Sequence, residues 1–316
     1  MTSKLPKVAI LLATFNGAQF MSEQISSIKI QEGVDVDIFI SDDGSIDCTI
    51  ELIECFSWGL PRLNLLPKVI ASGGAGQNFY RLIRDVPVAD YEYFAFADQD
   101  DIWSSDKLFR AISKLVTNNA HGYSSSVMAF WPNGLKKLIK KDYPLKEFDY
   151  FFEGPGPGCT FVMSRELFVF LKDFVVANQQ SLTAIYYHDW FVYAFARARK
   201  FKWVIDNQSH IDYRQHDKND TGANSGTAAL ISRIKKIWSF WARDQVYAIA
   251  KLLDYEQDLK YYFSSSLVSK LRLCRSFFQF RRASKDCFAL LILGLMGRFR
   301  PPKVNSELHF VRKDLG

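Results

Sequence analysis

Near its start the chain alternates apolar segments with amphipathic ones. Val8–Thr14 and Val36–Ile40 are mainly apolar, which is typical of strands covered on both faces of a sheet. Gln19–Ile30 and Asp47–Phe56 follow them and carry apolar residues at helical spacing. Strands joined through helices in this way lie parallel in one sheet. The alternation therefore predicts an α/β protein with a mainly parallel sheet flanked by helices.

A third apolar segment, Tyr93–Ala97, runs directly into the acidic cluster Asp98-Gln99-Asp100-Asp101. Two carboxylates one residue apart at the end of a strand cannot stay buried and unpaired. Hard oxygen ligands of this kind suit Mg²⁺ or Mn²⁺, which completes its coordination with water and substrate phosphates. The cluster therefore indicates a nucleotide-diphosphate substrate. The alternative interpretation is a plain acidic turn that caps the helical segment 106–117.

Ligands of parallel α/β sheets bind beyond the carboxyl ends of the strands. Three polar segments share that edge here, namely 14–17, 42–45 and 98–100. The sequence has neither the dinucleotide-binding glycine pattern nor a P-loop. A metal ion is therefore expected to neutralise the diphosphate.

Five motifs in order carry a family resemblance, and they cover residues 7 to about 220. The sequence stretches are VAILLATFNGAQF, ISDDGSIDCT, FAFADQDDIWSSDKL, HDW and YRQH. Together they resemble the inverting, nucleotide-sugar-dependent family 2 glycosyltransferases, whose fold is the Rossmann-like GT-A type. DQDDIW, HDW and YRQH resemble the bacterial rhamnosyltransferase branch most closely.

The resemblance implies roles for side chains in a donor pocket. Asp43 would accept a hydrogen bond from the ring N–H of uracil or thymine, a favourable pairing because an ionised carboxylate is a strong acceptor. Asp42 either contacts the nucleotide as well or has a role in the turn. Arg214 either contacts phosphate oxygens or forms a surface ion pair. The nucleotide-sugar contacts implied besides Asp43 are Thr14, Asn16, Gly76, Asn78, Asp98 and Arg214, with Gly76 and Asn78 in a glycine-rich loop.

The resemblance also implies a metal centre for Mg²⁺ or Mn²⁺. Its ligand is Asp100, with Asp98 and His216 as further ligands. Asp101 is expected to be a structural cap.

A further implied residue is the general base, which matches Asp189. The alternative is that Asp189 only caps the helix it opens, a role worth about 1 kcal/mol. His188 beside it either tunes the base or is a packed partner. The glycine-proline loop 152–160 is expected to form a wall of the acceptor or sugar pocket, and residues 217–227 a lid.

The reaction implied is a single displacement with inversion at the anomeric carbon. Asp189 would take the proton of the acceptor hydroxyl while the metal stabilises the leaving diphosphate. The expected donor is dTDP-L-rhamnose, with a UDP-hexose as the alternative. The expected acceptor is a saccharide or an undecaprenyl-diphosphate-linked saccharide, as in O-antigen or capsule synthesis.

Charge is divided unevenly along the chain. Residues 231–316 hold 17 Lys and Arg against 7 Asp and Glu, a balance of +10, whereas the whole chain has a net charge of +6. Basic residues alternate with Trp and Phe in this part, which favours contact with the anionic inner leaflet of a membrane. The alternative is a helical subdomain that packs its aromatic residues internally. Phe288–Met296, the longest apolar run there, is too short to span a bilayer.

We therefore predict two domains. Residues 1–228 form the catalytic domain, with a nucleotide-binding half of about 1–103 and an acceptor half of about 104–228, and 229–316 form a helical extension. Five dispersed cysteines fit a reducing cytosol, and the first residues lack the apolar region of a signal peptide. The expected location is cytoplasmic, peripheral on the inner face of the cell membrane.

Three rival functions explain fewer features. A nucleotidyltransferase needs a basic glycine-rich motif near its N-terminus, and Thr14-Phe15-Asn16-Gly17 has no basic residue. A membrane-binding protein with an inactive transferase fold has no need for Asp43, Asp100 and Asp189. Nucleic-acid binding fits poorly because the positive charge lies among bulky apolar groups.

Overall fold

Eleven strands among the described residues form two sheets. The computed structural model describes residues 4–59, 62–68, 72–216, 235 and 237–302. The predicted lid 217–227 and the predicted boundary between 228 and 229 lie outside them. The strands are β1 Lys7–Thr14, β2 Asp35–Asp42, β3 Leu63–Leu65, β4 Tyr93–Ala97, β5 Ile102–Trp103, β6 Gly122–Ser125, β7 Val127–Phe130, β8 Lys136–Ile139, β9 Val162–Ser164, β10 Trp203–Asp206 and β11 Ile211–Arg214.

The helices alternate with these strands in the first part of the chain and follow one another in the last part. They are α1 Ala18–Lys29, α2 Thr49–Gly59, α3 Ala75–Asp85, α4 Lys107–Thr117, α5 Arg165–Ala177, α6 Gln179–Leu182, α7 His188–Ala198, α8 Trp241–Leu252, α9 Glu256–Phe263, α10 Leu267–Ser276 and α11 Ser284–Leu295.

The large sheet has the order β10-β6-β9-β4-β1-β2-β3. Its strands are parallel except β9, which is antiparallel to both of its neighbours. Residues 8–14 of β1, a central strand, are all buried, as expected for a strand covered on both faces. This is the mainly parallel α/β sheet that the sequence predicts.

The small sheet has the order β5-β11-β7-β8 and begins where the acidic cluster ends. β11 runs antiparallel to β5, with Ile211 opposite Trp103 and Asp212 opposite Ile102. Beyond these pairs, β11 continues alongside the residues that precede β5. The end of β11 therefore reaches the acidic cluster.

The chain divides into two compact units that are not continuous in sequence. The first comprises 1–142, 154–179 and 187–223, and the second 143–153, 180–186 and 224–316. The second unit contains α8 to α11 around an aromatic core that includes Phe151, Phe263 and Phe280. A C-terminal helical region is thus present, as the sequence predicts.

Candidate active site

The ends of β1 and β2 are joined by the side chain of Asp42. Thr14 lies opposite Asp42 in the parallel register, and its hydroxyl donates to the carboxylate at 2.9 Å. The backbone N–H groups of Gly44 and Ser45 donate to the same carboxylate at 2.9 and 2.8 Å. Asp42 therefore closes the turn after β2, which is the alternative role that the sequence left open.

Asp43 anchors the glycine-rich loop that precedes α3. Its carboxylate accepts hydrogen bonds from the backbone N–H groups of Ser72, Gly73 at 3.3 Å and Gly74 at 3.1 Å. Gly73 and Gly74 have φ angles of +95° and +149°, which a side chain would strain. Asp43 thus holds an exposed glycine backbone against the edge of the sheet.

The predicted contacts Asn16, Gly76 and Asn78 differ in exposure. Asn16 is partly exposed, has a φ of +47°, and accepts the N–H of Ile46 at 2.8 Å. Gly76 is buried in the first turn of α3. Asn78 is buried as well, and its amide donates to the carbonyls of Ser41 at 2.8 Å and Thr14 at 3.3 Å. These bonds hold the ends of β1 and β2 together. The ligand contact predicted for Asn78 stays a prediction.

A glutamine inside the acidic cluster fastens the loop after β1. Gln99 accepts the N–H of Phe15 at 2.8 Å and donates to its carbonyl at 3.0 Å. A side chain at Gly17 would collide with the Gln99 amide. Sequence reasoning missed this clamp, because nothing in the local pattern pairs residues 84 positions apart.

Asp100 and His216, two of the predicted metal ligands, meet in the structure. His216 Nε2 lies 2.7 Å from Asp100 Oδ2, and its ring stacks on Phe20 with centroids 4.9 Å apart. The Nε–H group of Arg214 donates to the Asp100 carbonyl at 3.0 Å. The end of β11 thus supports the acidic cluster from the small sheet.

Asp98, the third predicted ligand, lies with a different pair of residues. Among the described residues, its carboxylate, that of Asp101 and the Cys159 thiol bring their ligand atoms within 4.8 Å of one another. Asp101 is 1% exposed, and neither carboxylate oxygen has a hydrogen-bond partner among the described residues. Burial, reinforced by the charges of Asp100 and Asp98, raises the pKa of Asp101 well above its usual range.

The prediction that Asp101 is a structural cap is wrong. Helix α4 begins at Lys107, and the residue at its N-cap position is Asp106. Lys107 is 2% exposed, and its ammonium lies 3.4 Å from the centroid of the Trp103 ring. Burial lowers the pKa of Lys107 to about 7. The acidic cluster therefore has a buried lysine and a thiol beside it that the sequence did not reveal.

Asp189 lies in the first turn of α7, one residue beyond a buried histidine. Its carboxylate accepts the N–H of Trp190 at 2.7 Å, and the N-cap position belongs to Tyr187. Burial raises the pKa of Asp189 to about 6, against the opposing effects of N–H groups and of Lys141. The His188 ring stacks on Phe79 with centroids 3.9 Å apart, and burial lowers its pKa to about 3. His188 is thus a neutral, packed residue.

One short turn, Gly158–Thr160, touches both groups of candidate residues. A Cβ at Gly158 would lie 2.8 Å from His188 Nε2 and 3.2 Å from Asp189 Cβ. The next residue, Cys159, presents its thiol to Asp98 and Asp101. Asp189 and the acidic cluster therefore contact neighbouring residues of the same turn. A glycine after two prolines was the only sequence signal for this close approach.

A cleft of about 360 Å³ opens beside the Asp100–His216 pair. Arg214 lies in its wall between the rings of Phe20 and Phe130, 4.9 and 4.8 Å from their centroids, and forms an ion pair with Glu23. The size is in the range of small-molecule pockets. The lining residues are Gln19, Phe20, Phe130, Pro132, Arg214, Gln215 and His216.

Comparisons with known proteins agree with this geometry. The model of glycosyl transferase family 2 matches residues 9–170. The dTDP-rhamnosyl transferase RfbG of Shigella flexneri is 42% identical over 91% of this chain and 100% of its own length. The Escherichia coli UDP-Glc:alpha-D-GlcNAc-diphosphoundecaprenol beta-1,3-glucosyltransferase WfgD is 33% identical over 35% of this chain and 42% of its own.

Solved structures show the same fold at low sequence identity. Staphylococcus aureus TarS 1–349 in complex with UDP-GlcNAc has a TM-score of 0.54 at 13% identity and covers 93% of this chain and 89% of its own. The mannosyltransferase PcManGT of Pyrobaculum calidifontis, in complex with GDP-Man and Mn²⁺, has a TM-score of 0.51 at 14% identity, with coverages of 94% and 86%. The predicted fold class and family resemblance are confirmed. This protein belongs to the family 2 glycosyltransferases.

Proposed function

We propose that this protein is an inverting, metal-dependent rhamnosyltransferase. Its donor is dTDP-L-rhamnose, and its acceptor is a saccharide or an undecaprenyl-diphosphate-linked saccharide of a bacterial surface polysaccharide. The choice of donor rests on the relative RfbG, which is matched over its full length. A UDP-hexose is the second candidate, because WfgD uses UDP-Glc and TarS binds UDP-GlcNAc.

The single observation that carries the chemistry is the position of Asp189 across one turn from the acidic cluster. A general base works best when its pKa lies near the operating pH, and burial brings the Asp189 pKa to about 6. Asp189 as a residue is only partly buried, which leaves room for an acceptor to approach it. Asp189 takes the proton of the acceptor hydroxyl while that oxygen attacks the anomeric carbon.

The acidic cluster fits a divalent cation. Asp98, Asp100 and His216 would hold it, the two carboxylates as the oxygen ligands that suit Mg²⁺ or Mn²⁺ and His216 as a further ligand. Beside them, burial and the charges of Asp100 and Asp98 raise the pKa of the Asp101 carboxyl, and a cation at this place would offset those charges. When bound, the cation would supply charge neutralisation for the leaving diphosphate.

The chain's own residues hold the nucleotide-sugar donor. Asp43 sits at the sheet edge with the N–H groups of the glycine loop around it and offers its remaining lone pairs to the imide of the base. Thr14 and Asn16 shape the same edge, and Asn78 keeps β1 and β2 in place behind it. Arg214 reaches the diphosphate from the wall of the cleft.

We place the enzyme at the inner face of the cell membrane, where a lipid-linked acceptor is presented. Among the described residues, no helix combines the length and the hydropathy needed to cross a bilayer. The basic C-terminal part supplies the attraction to an anionic leaflet that a peripheral protein needs.

The alternative of another class is a membrane-binding protein whose transferase fold is inactive. The raised pKa of Asp189 argues against it. A partly desolvated carboxylate lowers stability at neutral pH, and a binding protein has no catalytic use for such a group.

Calorimetry with Asp100→Ala tests the metal centre. The variant should lose the Mn²⁺-dependent part of its affinity for dTDP, whereas Asp212→Ala, which removes an ion-paired carboxylate from β11, should keep it. Mn²⁺-dependent binding that survives in Asp100→Ala would reject the centre. A panel of dTDP- and UDP-sugars with Mn²⁺ then identifies the donor, since the true donor raises the midpoint of thermal unfolding most.

A further inference from the structure

The second compact unit exposes apolar side chains on two neighbouring helices. On α10, Leu267, Val268 and Leu271 are 72%, 53% and 53% exposed. On α11, Phe288 and Ile292 lie one turn apart and are 52% and 59% exposed. With Met296, which follows α11 and is also exposed, these six residues form what we call the apolar face.

The residues of the apolar face are different from those that α10 and α11 bury. Ser269 and Leu273 of α10, and Cys287 and Leu290 of α11, are the buried residues of these two helices. The helices approach closely on that side, because a Cβ at Gly294 would lie 2.6 Å from Leu273. Each helix therefore buries residues on one side and leaves apolar residues exposed on another, although a helix inside a folded protein needs only one apolar side.

An aromatic cluster links the segment that follows α10 to α11. Phe278, which is 47% exposed, follows α10, and its ring centroid lies 5.5 Å from that of Phe288 on α11. Phe277 packs against the same ring at 5.1 Å. Exposed aromatic surface thus lies between the end of α10 and α11, and clustered exposed apolar residues mark an interaction site.

The charges around this face identify its occupant. Residues 264–302 contain eight Lys and Arg, of which Arg281 and Arg282 pair with Glu153 or Asp149, and a single acidic residue, Asp286. Asp286 is paired with Arg281, whereas Lys270, Arg275 and Lys285 have no ion pair among the described residues. A second copy of the chain would bring the same excess of positive charge against it and be repelled. An anionic surface with an apolar interior satisfies both properties, and that description fits a lipid bilayer.

We propose that the apolar face is the membrane-docking surface of this protein and that it inserts among anionic lipids with α10 and α11 lying in the plane of the interface. Insertion of Leu, Ile and Phe side chains supplies the apolar contribution, and the surrounding Lys and Arg the electrostatic one. This inference deepens the proposed function, on which it rests for the lipid-linked acceptor.

Co-sedimentation with vesicles tests the proposal. The full-length protein should bind mixed phosphatidylglycerol–phosphatidylcholine vesicles, less so at high salt, and should bind pure phosphatidylcholine weakly. Ile292→Glu should reduce binding to the mixed vesicles about tenfold or more, because it places a carboxylate among acyl chains and anionic headgroups. Val116→Glu is the matched control, since Val116 is 67% exposed on α4 in the first unit, and it should bind like the wild type.

Two other measurements separate the competing explanations. The unfolding midpoints and the dTDP affinities of both variants should match those of the wild type, which shows that all three proteins are folded. If none of the three proteins binds dTDP, that result counts against the proposed function. Equal vesicle binding by Ile292→Glu and Val116→Glu would overturn the proposal. So would a wild-type dimer in sedimentation velocity that Ile292→Glu dissociates, because a second copy would then cover the apolar face.

Discussion

At Asp189 two physical effects on one carboxylate oppose each other. The first turn of a helix offers free N–H groups and the positive end of the helix dipole, which favour the ionised form. Burial disfavours it, and the resulting pKa of about 6 shows that burial prevails. The ionised carboxylate of Asp189 is therefore destabilised by its surroundings at neutral pH. A helix cap selected only for stability would show the reverse shift.

Asp189→Asn should strongly slow transfer and leave the fold intact. The amide keeps the hydrogen bond to the Trp190 N–H but accepts no proton, so kcat should fall by about 10²–10⁴. Wild-type kcat should rise with pH through about 6, the pKa of the base. A coupled assay that measures dTDP release across pH 5 to 8 (about three units around that pKa) checks both expectations.

The same substitution has a stability signature. Because the folded pKa lies above the ordinary value of 3.8, the native state binds the proton more tightly than the unfolded chain does. The contribution of Asp189 to the free energy of unfolding is therefore fully present below about pH 4 and is lost as the pH rises to about 6. Urea titrations should show Asp189→Asn gaining stability relative to the wild type over this range. A variant that keeps wild-type turnover, or whose stability difference does not change with pH, would contradict the assignment.

Among the elements, the turn Gly158–Thr160 does the most to assemble the site. It leads into β9, the antiparallel strand between β4 and β6, and so it lies beside the residues that follow β4. Its first residue must be small because His188 and Asp189 approach it, and its second places a thiol against the acidic cluster. A change of shape here would move the proposed base relative to the proposed metal ligands.

Gly158→Ala should impair transfer more than donor binding. The added Cβ would meet His188 Nε2 at 2.8 Å and push the start of α7 away, and a misplaced base costs about 10²-fold in rate. Gly154→Ala in the same loop is the control, since its Cβ meets nothing closer than 3.8 Å. Steady-state kinetics should show a lower kcat for Gly158→Ala alone. Equal kinetics for the two variants would mean that the turn does not position Asp189.

At the scale of the whole molecule, the second unit takes two of its segments from within the sequence of the first. Residues 143–153 contribute Asp149 and Phe151, both fully buried. Their partners come from the C-terminal part, where Arg282 lies 3.6 Å from Asp149 and the Tyr255 ring 5.3 Å from that of Phe151. The C-terminal part therefore completes a core that begins before residue 153.

A chain truncated after residue 228 should fail to fold into a soluble protein, although it keeps every candidate site residue. It would expose Phe151 and leave Asp149 without its buried cation, a loss of the kind that costs several kcal/mol. Truncation after residue 302 is the control, and it should stay soluble. Size-exclusion chromatography and dye binding to exposed apolar surface distinguish the two. A soluble, dTDP-binding 1–228 fragment would show that the first unit is independent.

The sequence by itself determined the sheet, its edge and the family. Apolar segments that end in polar residues specify which side chains lie at the carboxyl ends of parallel strands, because side-chain direction follows from local backbone geometry. Asp43 and Asp100 are found there for this reason. The motifs around them placed the chain among the family 2 glycosyltransferases.

Only the tertiary structure decided which polar groups meet and how they titrate. His216 and Asp100 are 116 residues apart and are brought together by the pairing of β11 with β5. Cys159 and Lys107 carry no local signal, since their surroundings come from distant segments. Protonation depends on burial and on all nearby charges, which a short sequence window does not contain. The base role of Asp189 is therefore a prediction from the family resemblance, whereas its raised pKa depends on the fold.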